Sequence, residues 1–415
     1  MQSRRVDFWK FFTGQTISVL GSAFSGFALP LLVFQLTHSP ISLAITTFTY
    51  ALPHLLFGLF IGAWVDRVDR KRLMITVDVL LALVMLTIPA LAWMHLLNVY
   101  WVYAVQFASS SLGLIFEQAE FTAIPSLVGQ DDLVTANGRI SASYQTSEVI
   151  GPTIAGAIAS VISVPALLVV DTISYVFSAG ALASIKGGFN TADIKNRPAT
   201  RILADIGEGL RYVVTHPVLR NISLLMMLFN LVNVTIYAQG VLYAKERLHA
   251  NNFELGLYFA AGSVGAVIFS LAAGWLRKRY SFSVVVIGCL SLGGLCTIVF
   301  SAIPWFWLAL PLVLLREGLL SLLNTNTFSL RQAIVPNRML GRVLSVAGLL
   351  AFSAMPLGSL AGGYLIQRTH NVALVFAGVG ALMFVIPLVF AFTALGRADQ
   401  YLPKQDAAAS TAAPS

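Results

Sequence analysis

From residue 12 onward the chain alternates long apolar runs with short polar or charged joints. Each run approaches or exceeds about 20 residues, the length a helix needs to cross a hydrocarbon core of about 30 Å. Turn residues and charges mark off runs at 12–36, 41–64, 73–95, 99–118, 139–162, 165–185, 219–242, 253–275, 281–303, 305–325, 343–366 and 371–395. The pattern predicts an all-α integral membrane protein with twelve transmembrane helices. Arg4, Arg5 and Lys10 ahead of the first run imitate a signal peptide. The run to Leu36 is too long for one and lacks an A-x-A cleavage site, so it reads as a retained first span.

The longest polar joint, 186–218, divides the spans six and six. The expected organisation is therefore an N-terminal six-helix bundle over 1–185, a cytoplasmic linker over 186–218 and a C-terminal six-helix bundle over 219–396. Within the linker Ile202, Ile206, Leu210 and Val214 recur every four residues among Arg201, Asp205, Glu208 and Arg211, which predicts a short amphipathic helix on the inner membrane surface. The small, polar stretch 397–415 is expected to be a disordered cytoplasmic tail.

Composition agrees: 57% of the residues are hydrophobic and 11% charged, against about 25% charged in a soluble domain. The net charge of +8 sits in short clusters at the ends of runs, not on one basic domain, which argues for membrane orientation and against nucleic acid. With both termini in the cytoplasm, all of the 26 Lys and Arg fall inside except Lys245, Arg247, Arg368 and the intramembrane Arg316. The positive-inside rule thus predicts a multi-pass protein of the cytoplasmic or inner membrane with cytoplasmic termini. Cys289 and Cys296 share one run and one helix face and read as space-filling, not as a disulfide or a metal site. The six His show no metal-ligand spacing and no phosphate-cradling GxxxxGK occurs, so neither an enzyme nor a metal, cofactor or ATP site is expected.

Between the second and third runs six charges crowd into the seven residues 66–72. Gly62, Asp66, Arg67, Arg70, Lys71 and Arg72 form G-x-x-x-D-R-x-x-R-K-R, which resembles the loop signature of the major facilitator superfamily of transporters. The resemblance implies the major facilitator fold, two pseudo-symmetric six-helix bundles that alternate access. The physical need is a latch that can open: Gly62 permits close helix approach, Asp66 can cap a helix or pair with Arg, and the bases can reach carboxylates of the other half. A weak internal repeat fits, since 273–279, "AGWLRKR", stands in the second half where the charged loop stands in the first, without its Asp.

The fifth run contains Gly151, Pro152 and Gly156 in "SEVIGPTIAGAIAS", which resembles the fifth-helix motif of drug/proton antiporters. The segments 123–140 and 209–220 resemble the connecting segments of the twelve-helix efflux branch that includes macrolide and enterobactin exporters. One departure is that the fourth run carries no Arg, which puts in doubt a direct transfer of that branch's coupling scheme.

Coupling candidates therefore come from the chain's own intramembrane charges, which are costly and usually functional. At about 1.5 Å per residue, Glu148 and Arg316 fall near mid-depth, one in each half, and Asp171 about 9 Å from the outer surface. Glu148, Asp171 and Glu317 are expected proton carriers, with Arg316 as counter-ion or substrate anchor. Glu317 should point about 100° away from its neighbour Arg316. Glu117 and Asp78, nearer the inner surface, are expected to pair with loop bases. Gln15, Phe24, Phe48 and Tyr50 are candidates to line a permissive pocket, whereas His54 reads as a packed polar residue. The reading is a secondary transporter exporting an amphipathic or hydrophobic small molecule in exchange for protons, as a monomer. A nutrient uptake symporter and a non-transporting receptor or scaffold are the alternatives.

Overall fold

In a computed structural model, residues 2–65, 68–128, 132–189 and 202–401 are described. The first six helices are α1 (Gln2–Thr37), α2 (Pro40–Val65), α3 (Arg70–Trp93), α4 (Val99–Leu127), α5 (Leu133–Ala159) and α6 (Val164–Ala183). A linker helix, α7 (Ile202–Thr215), leads into α8 (Pro217–Ala238), and the short α9 (Gly240–Leu242) runs on into a π turn, Tyr243–Arg247. The chain continues with α10 (Asn252–Arg279), α11 (Phe282–Ala302), α12 (Phe306–Ile334), α13 (Asn337–Ser353), α14 (Met355–Thr369) and α15 (Val372–Ala391).

Eleven stretches among the described residues are long and apolar enough to cross a membrane. The 27-residue α5, expected as the fifth span, is not one of them. Asn137, Arg139, Gln145 and Glu148, all exposed, interrupt its apolar character. The expected run 343–366 is broken at Ala354 into α13 and α14. Pro356 is the physical reason, because it has no N–H to donate and its ring clashes with the preceding turn. The fourth and tenth expected spans, α4 and α12, outrun their expected ends at 118 and 325, reaching Leu127 and Ile334.

Two ends of the molecule are distinguishable. Lys10 donates to the Ser184 carbonyl at 2.9 Å and Lys71 to that of Ile185, so the start of α1, the start of α3 and the end of α6 share one end, the terminal side. Asp399, close to the last described residue, accepts from the amides of Phe282 and Ser283 on that side. At the opposite, far side His38, His95, His249 and His370 all adopt left-handed φ where helical segments stop. Four of the six His thus serve as helix terminators, a conformation His tolerates better than branched residues.

Helices α1 and α6, α3 and α6, and α2 and α4 pack within the first half; α10 and α12, and α11 and α15, pack within the second. The halves meet chiefly through α5 against α10 and α2 against α14. Their tight contacts lie on the far side: Gln239 Nε2 donates to the Pro40 carbonyl at 2.8 Å and Asn252 Nδ2 to that of Ala159 at 2.7 Å. Beside them a Cβ on Gly363 would stand 2.7 Å from that of Ala44. Small residues let these backbones approach where bulkier ones would hold the helices apart.

The linker helix α7 docks on α13. Val213 is buried with Val335, Met339, Val343 and Val346, and Ile206 packs beside them. A Cβ on Gly209 would lie 2.9 Å from the Arg342 carbonyl oxygen, and Glu208 pairs with Arg342. The docking face is turned from the expected 202–206–210–214 stripe, whose Leu210 and Val214 remain exposed. The stripe marked the apolar positions, but Gly209, which has no side chain to register in such a pattern, is what lets α13 come close.

Candidate transport site

The charged loop is visible in part. Gly62 lies in the last turns of α2, while Asp66 and Arg67 fall outside the described residues. Asp69 caps α3, accepting from the Arg72 amide at 3.0 Å. Arg70 is 5% exposed and donates to the carbonyls of Thr122 at 3.0 Å and Phe189 at 3.5 Å. These bonds and that of Lys71 tie the motif to the ends of α4 and α6, within its own half. The expected reach of the bases across to the other half is not what their described bonds show. Two of these acceptors, the carbonyls of Ile185 and Phe189, belong to the chain just past the end of α6, where the backbone has left the helix.

The fifth-helix motif builds the seam. A Cβ on Gly151 would stand 2.4 Å from that of Ala23 on α1, within the first half. One on Gly156 would stand 2.5 Å from the Asn252 carbonyl oxygen and 2.9 Å from the Gly256 Cα on α10. The Pro152 carbonyl faces Gly256 in turn. Gly151 and Gly156 thus serve two different neighbours, one in each half.

A cavity of about 340 Å³ opens at mid-depth in the first half. Its wall is polar and aromatic, with Ser25 from α1, Tyr50 and His54 from α2, Gln106 and Glu117 from α4, and Tyr175 from α6; Tyr237 closes it from the second half. Tyr50 lies within electrostatic reach of both Glu117 and Glu148, and Tyr237 within reach of Glu148 and Glu317. Glu117 lines this space, and Glu148, itself exposed, stands within electrostatic reach of the cavity's Tyr50 and Tyr237. His54 stacks obliquely on Tyr50 at 5.7 Å, and its Nδ1 has no hydrogen-bond partner among the described residues. Of the four expected pocket residues only Tyr50 lines this cavity. Gln15 and Phe24 are buried in helix packing, and Phe48 is half-buried elsewhere on α2. Aromatic content alone cannot tell a cavity wall from a packing face, because both favour the same side chains.

Asp171 is wholly buried and accepts from Ser25 and, at 3.2 Å, from Ser174. Gly21 of α1 makes room for it, since a Cβ there would stand 2.8 Å from Asp171 Oδ1. In the second half Arg316 is 6% exposed, donates from Nε to Thr297 Oγ1 at 3.1 Å, and bonds Asn233 and Glu317. The expected divergence of Arg316 and Glu317 is therefore corrected: the two side chains pair. Their Cα–Cβ bonds do diverge, but both side chains are long enough for the guanidinium to reach back round the helix. The described bonds of Arg316 do not include Glu148.

Asp78, expected to meet loop bases, is 1% exposed and faces Ser178 and Glu120 instead. Glu120, Tyr144, Asn233, Thr297 and Tyr237 escaped the sequence reading. The signal for Glu120 was its place three residues beyond Glu117, but it fell past the expected end of the fourth span.

Residues 4–412 match the family described as transmembrane secretion effectors of the major facilitator superfamily. The multidrug efflux pump Tap of Mycolicibacterium fortuitum is 27% identical over 356 residues, 83% of this chain and 85% of the relative. Macrolide efflux protein A of Streptococcus pyogenes is 22% identical over 368 residues, 88% of this chain and 90% of the relative. Among solved structures, the chain is similar to an inward-facing bacterial homologue of the human lysosomal transporter Spinster. The TM-score there is 0.74 at 14% identity, over 97% of this chain and 99% of that one. For the nucleoside transporter NupG the TM-score is 0.77 at 11% identity, over 94% and 99%. A wall of polar and aromatic groups at mid-depth between two helical halves, under a match that runs nearly end to end, is a transporter's arrangement and not an enzyme's. The chain belongs to the transmembrane secretion effectors of the major facilitator superfamily.

Proposed function

We propose that this protein exports amphipathic or hydrophobic small molecules, of the drug and macrolide kind named for its relatives, in exchange for protons. The observation that carries the reading is the mid-depth cavity of the first half, closed by Tyr237 of the second. It pairs aromatic faces with the exposed carboxylate of Glu117, and the exposed Glu148 stands within electrostatic reach of Tyr50 and Tyr237, an arrangement suited to molecules that are greasy and positively charged. Glu148 attracts the cationic end, Tyr50 and Tyr237 offer ring faces, and the Arg316–Glu317 pair supports the second half.

The distribution of Lys and Arg supports an assignment of the termini to the cytoplasm. On that assignment the far side faces outward and is shut by the α5–α10 and α2–α14 contacts, leaving the cavity to be loaded from the cytoplasm. Residues 1–185 and 219–396 act as the two rocking bundles, with 186–218 as their joint and 397–415 as a tail. Breaking the far-side contacts and making contacts at the charged loop, Asp66 among them, converts one state into the other. A monomer contains every part this cycle needs.

The test is efflux of ethidium and of a macrolide from cells stripped of their own exporters, with and without an ionophore that collapses the proton gradient. Expression should lower accumulation of both, and the ionophore should restore it. Accumulation unchanged by expression would refute export; efflux indifferent to the ionophore would refute proton exchange.

A further inference from the structure

Between the charged loop and the cavity, helices of the first half enclose two carboxylates. Asp78 on α3 and Glu120 on α4 are 1% and 4% exposed and lie within electrostatic reach of each other. Glu120 Oε2 accepts from the Tyr144 hydroxyl at 2.8 Å and from Gln15 Nε2 at 3.5 Å, and Gln15 also donates to the Tyr144 oxygen at 3.0 Å. The remaining oxygens, Glu120 Oε1 and Asp78 Oδ2, are buried with no hydrogen-bond partner among the described residues.

The surroundings do not neutralise them. From α6 come Ser178, Tyr175 and Asp171; from α4 comes a third carboxylate, Glu117; from α5 comes Tyr144; from α1 comes the neutral Gln15. The bases nearby in sequence are engaged elsewhere. Arg70 bonds the carbonyls of Thr122 and Phe189, and the Arg139 guanidinium stacks on Trp9 at 5.0 Å. Among the described residues no ion pair reaches either carboxylate. Two adjacent bare charges in such an interior would each cost several kcal/mol, so the site is built to hold a cation. No group of three metal-ligating side chains occurs among the described residues, and hard metal ions call for about six oxygens.

We propose that Asp78 and Glu120 together form a proton-binding site, with the proton on one of the two unpartnered oxygens, and that it serves the exchange cycle. The second clause rests on the proton-exchange reading above. The site sits where it can communicate in both directions. One turn along α4 from Glu120 stands the cavity-lining Glu117, and one turn along α5 from the half-buried Tyr144 stands the exposed Glu148, so each helix carries a member of the site and a further carboxylate one turn away. Toward the loop, Thr122, two residues past Glu120, holds Arg70. An ionised Glu120 grips the Tyr144 hydroxyl and Gln15 amide more strongly than a neutral one. Losing the proton therefore draws α5, the helix that carries the seam at Gly156, toward α4 and α1. The proton role expected of Glu148, Asp171 and Glu317 passes to this pair.

The test uses the full chain in lipid nanodiscs. Infrared difference spectra across a pH titration should show a protonated-carboxyl band that disappears in Glu120→Gln and weakens or shifts in Asp78→Asn and Tyr144→Phe. The same band in all three variants would overturn the site. Loss of the band on adding sodium chloride but not choline chloride at fixed pH would also overturn it, by giving the site to sodium. In vesicles, Glu120→Gln should lose at least about tenfold of gradient-driven ethidium accumulation, roughly 1.4 kcal/mol of coupling, while downhill ethidium exchange persists. Glu120→Asp should regain part of the drive. Loss of downhill exchange along with the drive, in Glu120→Gln and Tyr144→Phe alike, would make the cluster merely structural. If wild-type efflux ignores the gradient, the exchange reading fails, and the infrared arm still decides whether the proton site exists.

Discussion

Gly156 of α5 and Gly256 of α10 meet across the two halves so closely that a Cβ on Gly256 would lie 3.1 Å from the Gly156 Cα and 2.4 Å from the Pro152 carbonyl oxygen. Backbone stands against backbone there, so a larger residue cannot be absorbed by a rotamer change. This contact forms part of the far-side closure and has to open when access alternates.

Gly256→Leu should therefore disfavour the far-side-closed state without unfolding either bundle. Overpacking costs about 1–3 kcal/mol, and about 1.4 kcal/mol moves a two-state balance tenfold. Spin labels at the far ends of α5 and α10 should report a longer mean distance, with efflux reduced. An unchanged distance distribution would show that the contact does not govern closure.

Arg316 poses a different problem, because it is buried with three partners. Arg316→Met leaves Glu317 and Asn233 without their shared donor, and because the Glu317 side chain is 37% exposed the loss should fall short of the roughly 3–5 kcal/mol of a fully buried pair. Arg316→Met/Glu317→Leu, which removes both charges, should recover much of the thermal stability lost by the single variant. Equal melting temperatures for the single and double variants would mean that the pair is not energetically coupled.

Glu148→Gln should separate substrate recognition from coupling. Exposed and within electrostatic reach of the cavity's Tyr50 and Tyr237, Glu148 is placed to meet cationic substrate. The variant should bind ethidium several-fold more weakly, bind an uncharged substrate as before, and keep its response to the proton gradient. Transport that no longer follows the gradient would return the proton to Glu148.

At the linker, the glycine should matter more than the ion pair. Glu208 and Arg342 have side chains 55% and 38% exposed, and such surface pairs contribute about 0–1 kcal/mol. Glu208→Gln should leave the melting temperature almost unchanged. Gly209→Ile drives a branched side chain at the Arg342 carbonyl and the Val346 methyl, and should undock α7, read as faster proteolysis within the linker. Resistance to protease equal to wild type would show that α7 is held by other contacts.

Periodicity and charge distribution along the chain already implied a helical membrane protein in two halves joined at 186–218, because hydrocarbon admits only long apolar helices and sorts Lys and Arg to one side. Those constraints act on each segment separately, so they are legible one segment at a time. The motif residues Gly151, Pro152 and Gly156 pointed to close packing for the same reason: a missing side chain is visible in the sequence.

Which helix approaches which was decided by tertiary structure alone. Gly151 meets α1 and Gly156 meets α10, although both stand on the same helix only five residues apart. Gln15, with the profile of a pocket residue, turned inward to Tyr144 and Glu120, while His54, with the profile of packing, lines the cavity. Arg316 and Glu317, adjacent and pointing apart along an ideal helix, paired because long side chains answer to their neighbours and not to the helical wheel. A span's length depends on the solvent it crosses and can be read from its own residues. Whether a carboxylate within that span faces a cavity, a hydroxyl or another carboxylate depends on distant residues brought beside it, and only folding supplies them.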